Sequence, residues 1–302
     1  MLLKTEKGVK MILDNTKLLF LKVDKIFFKG RIEAFYSRNF KYRGKAYLLN
    51  KEMYFPPHTA ANKKIRLGPA GELLAIGGDL TPERMIYAYK NGICPCFYNN
   101  EPILWWTSEI RCVIYPKDIH ISKIVRRFIK QKNFSLTVDK AFSEVVIGCT
   151  EGRIDNTWLT PERIVASSVL HDVGFSHSIE VWQEEKLVAG LFGITFGTYF
   201  FVASKFTRVN HASKVAMIAL AIRMEELNYT MMDCGIWPTD HLKSMGAVII
   251  TRDEFLKELN QCSQMPDAVE KWEDLFEKWD LSIAIRNHDI KMQEKQKNMD
   301  TL

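Results

Sequence analysis

The sequence predicts an α/β fold in which a mixed sheet packs on one buried helix, preceded by a small N-terminal domain. Runs rich in aromatic and β-branched residues, each bounded by polar turns, indicate the strands. Residues 211–227 are apolar almost all round, which is typical of a helix buried in a core. The predicted strands cover residues 134–138, 178–182, 187–196, 199–204, 230–233 and 247–250.

The turns and caps between these elements can be assigned from their residues. The polar run Gln183–Lys186 predicts a hairpin turn between two of the strands. Thr81 followed by Pro82 predicts the capped start of a helix over 82–91, and Ser122 predicts the cap of a helix over 122–132. We expect a loop through the tryptophan pair at 105–106.

Length and composition exclude several classes of protein. The chain has 302 residues, of which 47% are hydrophobic, so a substantial core is expected. Its longest apolar run, 215–222, is far shorter than the roughly 20 residues of a membrane helix. Charged residues interrupt the apolar patches near the N-terminus, which argues against a signal peptide. We therefore expect a cytoplasmic protein without a membrane partner.

The positive charge is concentrated near the N-terminus. Residues 1–50 contain nine lysines and three arginines against four acidic residues, whereas the whole chain has a net charge of +6. Such a segment suits a polyanion or is a solvated face with excess lysine. The three predicted parts of the chain are a small basic N-terminal domain at 1–60, a main domain at 61–262, and a tail at 263–302 with one amphipathic helix around Trp272 and disorder from Asn287.

The cysteines predict neither a disulfide framework nor a metal site. The six cysteines are irregularly spaced, and the pair Cys94 and Cys96 lacks a second Cys/His pair at zinc-site distance. We expect free thiols, no metal and no dissociable cofactor. The turn before the buried helix contains no glycine with which to hold a pyrophosphate, which argues against coenzyme A.

A second basic feature lies on the helix predicted after Ser122. Its cations follow i, i+3, i+4, i+7 spacing, so they form one face, which either contacts RNA phosphates or is simply solvated. The face and its flanking residues are Lys117, Lys123, Arg126, Arg127, Lys130 and Lys132.

Several longer segments carry a family resemblance. They include Gly77-Gly78-Asp79-Leu80-Thr81-Pro82-Glu83-Arg84, Thr157-Trp158-Leu159-Thr160-Pro161, His177-Ser178-Ile179-Glu180-Val181-Trp182, Ala212-Ser213-Lys214 and Asp233-Cys234. From about Phe55 to Leu259 the chain resembles the leucyl/phenylalanyl-tRNA-protein transferase family in the order and spacing of such segments. The resemblance implies an N-acetyltransferase-like acyltransferase fold, and an aminoacyltransferase that moves Leu or Phe, or Met, from charged tRNA to a protein N-terminus, the tagging step of the N-end rule. It also implies acceptors with N-terminal Arg or Lys.

The resemblance also implies roles for particular residues. Asp233 would orient the reacting amine, although an aspartate there can equally fix the end of a strand. Trp158 would stack on the terminal adenosine. The donor side chain would occupy an apolar pocket, but ordinary core residues explain the same pattern. The predicted pocket residues are Leu191, Phe200, Met217, Leu220, Met224 and Met232.

Four positions depart from the family pattern. Where the family has Gly-Glu-Ser-Met-Phe-Ser-Arg, this chain has Val-Ala-Ser-Lys-Phe-Thr-Arg, so Ala203 replaces a glutamate. Gly235 replaces a glutamine, Ser167 a tyrosine and Cys96 a tryptophan. Two alternatives therefore stay open beside full activity: a relative that binds tRNA or basic N-termini without efficient transfer, and an acyltransferase with a changed donor.

Overall fold

The computed structural model describes residues 46–50, 52–132, 134–152, 157–267, 269 and 271–300. The basic segment 1–45 lies outside them. The described residues within 1–109 and 153–173 form a first unit, and those within 110–152 and 174–302 form a second. The predicted boundaries at 60 and 262 stay a prediction.

The first unit is built on a five-stranded sheet. Strand β3 at its centre pairs with β1, β2 and β5, and β5 pairs with β4. Most side chains of β3 and β5 are fully buried, so these two strands carry the core of the unit. Its strands are β1 Tyr47–Leu49, β2 Asn62–Leu67, β3 Gly71–Gly77, β4 Cys94–Pro95 and β5 Leu104–Ser108, and its helices are α1 Pro82–Lys90 and α4 Pro161–Asp172.

The second unit contains a seven-stranded mixed sheet in the order β12-β6-β11-β10-β9-β8-β7, in which β10 and β11 run parallel. The helix Ala212–Glu226 covers one face, and the helices Phe142–Gly148 and Arg252–Gln264 lie against the other. The strands are β6 Ile110–Ile114, β7 Phe134–Val138, β8 Ser176–Gln183, β9 Lys186–Phe196, β10 Tyr199–Thr207, β11 Met231–Asp233 and β12 Val248–Thr251. The helices are α2 Lys123–Gln131, α3 Phe142–Gly148, α5 Ala212–Glu226, α6 Asp240–Lys243, α7 Arg252–Gln264 and α8 Leu281–Asp300.

The prediction of a mixed α/β fold with a buried helix is confirmed. Helix α5 is buried along most of its length, and its side chains join those of the sheet in one core. The parallel pairing of β10 with β11 requires a crossover, and α5 supplies it. The hairpin turn before β9 is also present, with Glu184 at a φ of 57°. Ser122 caps α2, since its hydroxyl accepts a hydrogen bond from the backbone N–H of Val125.

Two local predictions in the first unit were wrong. Trp105 and Trp106 lie in β5 and not in a loop, because the strand that contains them pairs with β3. Each indole N–H also donates to a backbone carbonyl, that of Gly77 and Cys96 respectively. Thr81 precedes α1 as predicted, but its hydroxyl donates to Asp79 at 2.7 Å instead of accepting from the helix. Pro82 at the first helical position still favours the start of α1 there.

The tail differs from the prediction as well. The residues around Trp272 form a single 3-10 turn, and α8 continues as a helix through the stretch predicted to be disordered. Trp272 stacks on His177 with ring centroids 4.3 Å apart and also packs on Phe200. His288 of α8 is buried, bonded to Glu225 and to the carbonyl of Ile119. These contacts explain the order of a polar segment that has little core-forming pattern of its own.

Among the described residues, no helix combines the length and the apolar character that crossing a membrane requires.

Candidate active site

Asp233 ends β11 and is fully buried. Tyr199 donates a hydrogen bond to its Oδ2 at 2.7 Å, and the backbone N–H of Gly235 donates to its Oδ1 at 2.7 Å. The guanidinium of Arg111 lies 3.6 Å from Oδ2. Both carboxylate oxygens therefore have donors, and the side chain fixes the turn that follows the strand. Such a group is suited to positioning its neighbours.

The predicted donor pocket lies on the other face of this sheet. Met232 precedes Asp233, and adjacent strand residues point to opposite faces. All six predicted pocket residues belong to the core beneath α5, and each is at most 1% exposed. The structure thus brings these six side chains together, but it does not bring the carboxylate of Asp233 to the same face.

Ala203 and Gly235 occupy backbone positions with special geometry. The register between β9 and β10 shifts at Ala203, between Val202 and Ser204, which marks a bulge. Gly235 has a φ of +83°, and a Cβ added there would meet only the ring of Phe201, at 4.0 Å. Space is therefore available for a side chain at 235, but the left-handed backbone disfavours any residue other than glycine.

In the first unit, Trp158 lies near Cys96 and Ser167, two of the positions that depart from the family pattern. All three surround Arg163, a residue that the sequence did not single out. Its guanidinium lies 5.4 Å from the ring centre of Trp158 and 3.2 Å from the hydroxyl of Tyr89. Ser167 donates to its backbone carbonyl at 2.8 Å. Arg163 is 1% exposed, and no carboxylate of the described residues lies within ion-pair distance of it. A cation holds the indole from one side, so Trp158 is a fixed surface.

The thiol of Cys96 stays protonated at neutral pH. Burial raises its pKa to about 12, even though the positive charge of Arg163 opposes the shift. A protonated thiol is a poor nucleophile and a poor metal ligand. Cys96 therefore contributes a small, weakly polar side chain at a position where the family pattern has tryptophan.

The basic face on α2 is partly committed inside the protein. Arg126 is half-buried and forms a two-pronged ion pair with Asp289 of α8, in which Nη2 lies 2.6 Å from Oδ1. Lys123, Arg127 and Lys130 are exposed, as are the flanking Lys117 and Lys132. The exposed part of the face thus has five cations, and Arg126 is a structural anchor for α8.

A cleft of about 510 Å³ opens elsewhere in the second unit. It contains Lys117 but no predicted catalytic or donor residue. Two of its walls are linked by the hydroxyl of Tyr115, which donates to Glu258 at 2.9 Å. The cleft therefore does not coincide with the predicted pocket, whose side chains are packed against each other.

The mixed sheet, its crossover helix and the buried Asp233 define an α/β protein with a candidate active site, and the comparisons with known proteins identify its family. A profile described as leucyl/phenylalanyl-tRNA protein transferase matches residues 113–260, and one for the N-terminal domain of the same proteins matches 78–109. The chain belongs to the leucyl/phenylalanyl-tRNA–protein transferase family, as the segments quoted above predict.

Relatives bearing that name are similar over most of their length. The protein of Nitrosospira multiformis is 39% identical over 227 residues, 74% of this chain and 95% of that protein. Those of Lawsonia intracellularis and Nitrosomonas europaea are each 42% identical over 70% and 72% of this chain, and 91% of each relative is covered. A conserved protein of unknown function from Bacteroides thetaiotaomicron is 18% identical with a TM-score of 0.33, covering 45% of this chain and 53% of that one. That likeness is too weak to bear on the fold.

Proposed function

We propose that this protein transfers leucine, phenylalanine or methionine from aminoacyl-tRNA to the N-terminus of a protein. The observation that carries the proposal is the family match, which covers nine tenths or more of each relative described above. An aminoacyl-tRNA donor and a protein acceptor follow from membership in the family. N-end rule tagging in the cytoplasm is the corresponding role.

The donor side chain would lie beneath α5. Leu191 and Phe200 from the sheet and Met217 from the helix are apolar and fully buried, and methionine walls adapt to ligands of different shape. Because these side chains are now packed together, a donor would have to displace part of the core. The order of strands around α5 supports the N-acetyltransferase-like assignment. The parallel strands β10 and β11, with α5 as the crossover helix between them, border the proposed donor pocket.

The transfer reaction needs little covalent help from the protein, because the ester on the tRNA is already activated. The α-amine of the acceptor attacks the ester carbonyl carbon, the bond to the ribose oxygen breaks, and the amine proton passes to that oxygen. A site accelerates this step by positioning the two groups and accepting the proton in transit. We assign Asp233 to positioning through the turn at Gly235. Ala203 offers no proton acceptor, and the hydroxyl of Thr207 already donates to the carbonyl of Val209. Ser204 and water are the remaining candidates.

The tRNA body would lie on the exposed cations of α2 and its flanks, through phosphates and without base reading. Trp158 would stack on the terminal adenosine, which contributes about 1–3 kcal/mol in similar sites.

A specific observation favours a second candidate, a member that binds aminoacyl-tRNA but transfers slowly. Ala203 lacks the carboxylate of the family pattern, and loss of one positioned proton acceptor typically slows a reaction about 10²–10⁴-fold. This candidate differs from the first in rate and not in ligand.

One experiment tests both. Purified protein is incubated with leucyl-, phenylalanyl- and methionyl-tRNA and with peptides beginning with each amino acid, Arg and Lys included, since the resemblance implies those two. Transfer at a rate typical of relatives with the full pattern supports the first candidate, and tRNA binding without transfer supports the second. Ala203→Glu should raise a slow rate, whereas the matched Ala203→Gln, of equal size but uncharged, should not. Absence of both binding and transfer contradicts the proposed function.

A further inference from the structure

Four basic side chains converge where α5 begins. Lys205 pairs across the sheet with Leu191, whose side chain belongs to the core under α5, so Lys205 lies on the α5 face. His211 immediately precedes α5 and has a φ of 64°. Lys214 lies in the first turn of α5, with its Nζ 3.2 Å from the hydroxyl of Ser244. With His241, which lies in α6 three residues before Ser244, these side chains form what we term the His241 cluster.

The environment of His241 is positively charged. Its Nε2 is buried and has no hydrogen-bond partner among the described residues. Burial, together with the charges of Lys205, Lys214 and His211, lowers its pKa to about 4. His241 is thus held neutral by its burial first and by its positive surroundings second.

No ion pair with an acidic side chain of the described residues neutralises the lysines of the cluster. Neither Lys205 nor Lys214 has a carboxylate within ion-pair distance, and the carboxylate beside His241 in sequence, Asp240, is fully exposed and pairs with Lys243. The start of α5 adds the positive end of a helix of 15 residues without a side-chain cap. Half-buried positive groups with no counter-charge favour an anion.

We infer that the His241 cluster binds the phosphate that precedes the 3′-terminal nucleotide of aminoacyl-tRNA. This inference rests on the proposed function. The reacting ester is carried by the ribose of that nucleotide, so its phosphate is the anion closest to the donor amino acid. The cluster lies on the same face of the sheet as the proposed donor pocket, and Lys205 is directly opposite a member of that pocket.

The residue at 205 distinguishes this chain from the family pattern quoted above, which has methionine there. Methionine has nearly the same length as lysine and no charge, so Lys205→Met removes the charge with little change of volume. The same pattern has glutamate at 203, where this chain has Ala203, and a carboxylate so close in sequence would weaken binding of a phosphate. The lysine at 205 and the missing carboxylate at 203 therefore both favour binding of a phosphate.

The test uses the full chain and an RNA hairpin ending in a single-stranded CCA. One version has the natural last phosphodiester, and the other an uncharged methylphosphonate in its place. Fluorescence anisotropy should show about tenfold tighter binding of the natural RNA, as expected for one charge-assisted contact. Lys205→Met should bind both RNAs alike and lose about 0.7 from the slope of log affinity against log salt. The control Lys186→Met, an exposed lysine of the β8–β9 hairpin, should keep the preference.

A second readout does not depend on any variant. In a histidine NMR titration, the natural RNA should raise the pKa of His241 and the methylphosphonate RNA should raise it less. Equal affinity of the wild-type protein for the two RNAs overturns the inference and leaves the proposed function standing. A Lys205→Met protein that keeps its RNA preference but loses use of Asp-initiated relative to Ala-initiated peptides also overturns it, because the anion is then on the acceptor. Failure to bind either RNA contradicts the proposed function itself.

Discussion

The hydroxyl of Tyr199 on β10 donates a 2.7 Å hydrogen bond to the carboxylate of Asp233 on the parallel neighbour β11. Tyr199 is 1% exposed and Asp233 is fully buried, so the bond is shielded from water. It links two of the strands that frame the candidate active site. The neighbouring guanidinium of Arg111 also packs over the ring of Phe255, 4.7 Å from its centre. The aspartate is therefore part of a buried polar network.

Replacing Asp233 by asparagine should destabilise the protein by about 3 kcal/mol or more. Removing one member of a buried ion pair takes a counter-charge away from the buried guanidinium of Arg111, which is strongly destabilising. Urea unfolding measures this loss. The matched variant Tyr199→Phe removes one hydrogen bond and no charge, so it should cost only about 1–2 kcal/mol. An Asp233→Asn protein with unchanged unfolding midpoint and abolished transfer would show that the carboxylate acts on the amine and is not primarily structural.

The two arginines in the middle of α2 should behave differently, although the sequence gives them the same face. Arg127 is exposed, so Arg127→Ala should weaken tRNA binding and reduce its salt dependence without changing the melting temperature. Arg126 is paired with Asp289, so Arg126→Ala should lower the melting temperature by loosening α8. Filter binding at several salt concentrations and calorimetry measure the two effects. If both variants weaken tRNA binding equally and neither changes the melting temperature, the assignment of Arg127 to tRNA binding and Arg126 to anchoring α8 is wrong.

Leu191→Trp should destabilise the fold by about 1–3 kcal/mol, because the side chain is fully buried and its core has no room for a larger group. If Leu191 lines the donor pocket, the folded fraction should also discriminate against phenylalanine more than against leucine as donor. Transfer assays with each charged tRNA, normalised to folded protein, measure this. Leu191→Met is the matched control of similar volume. Equal loss for every donor would mean that Leu191 is only a core residue.

Elements whose pattern is local were predictable from the sequence, whereas elements that depend on a distant partner were not. Six of the seven strands of the second unit and α5 follow from periodicity, since burial on one face or all round leaves a direct mark on composition, whereas β6 was not predicted. The strand through Trp105 and the ordered α8 depend on partners far along the chain, such as Gly77 for Trp105 and Glu225 for His288. The opposite orientation of Asp233 and Met232 was predictable from strand alternation, because both lie in the predicted strand 230–233.

The missed site residues have the same explanation. Arg163 lies in a helix, α4, that was not predicted, and its position under Trp158 depends on the fold of the first unit. Lys205 departs from the family pattern, but its meaning depends on His241 and Lys214, which approach it only in the folded chain.

His241 should make folding stability depend on pH in a defined window. The folded protein keeps this side chain neutral down to about pH 4, whereas its ordinary pKa is 6.5. As the pH falls below 6.5, the unfolded chain therefore takes up a proton that the folded protein does not, which favours unfolding. The stability that His241 contributes is fully present above pH 6.5 and is lost as the pH falls towards 4. Urea unfolding at pH 7, 6, 5 and 4.5 measures the decline.

Two variants isolate the cause of that decline. His241→Gln removes the titrating group, so its unfolding free energy should fall less between pH 6.5 and 4 than that of the wild type. Lys205→Met removes one of the charges that depress the pKa of His241, alongside Lys214 and His211. Its folded state should accept the proton at a higher pH, and the decline should again be shallower. A wild-type slope retained in both variants would show that other groups cause the pH dependence and that the cluster does not hold His241 neutral.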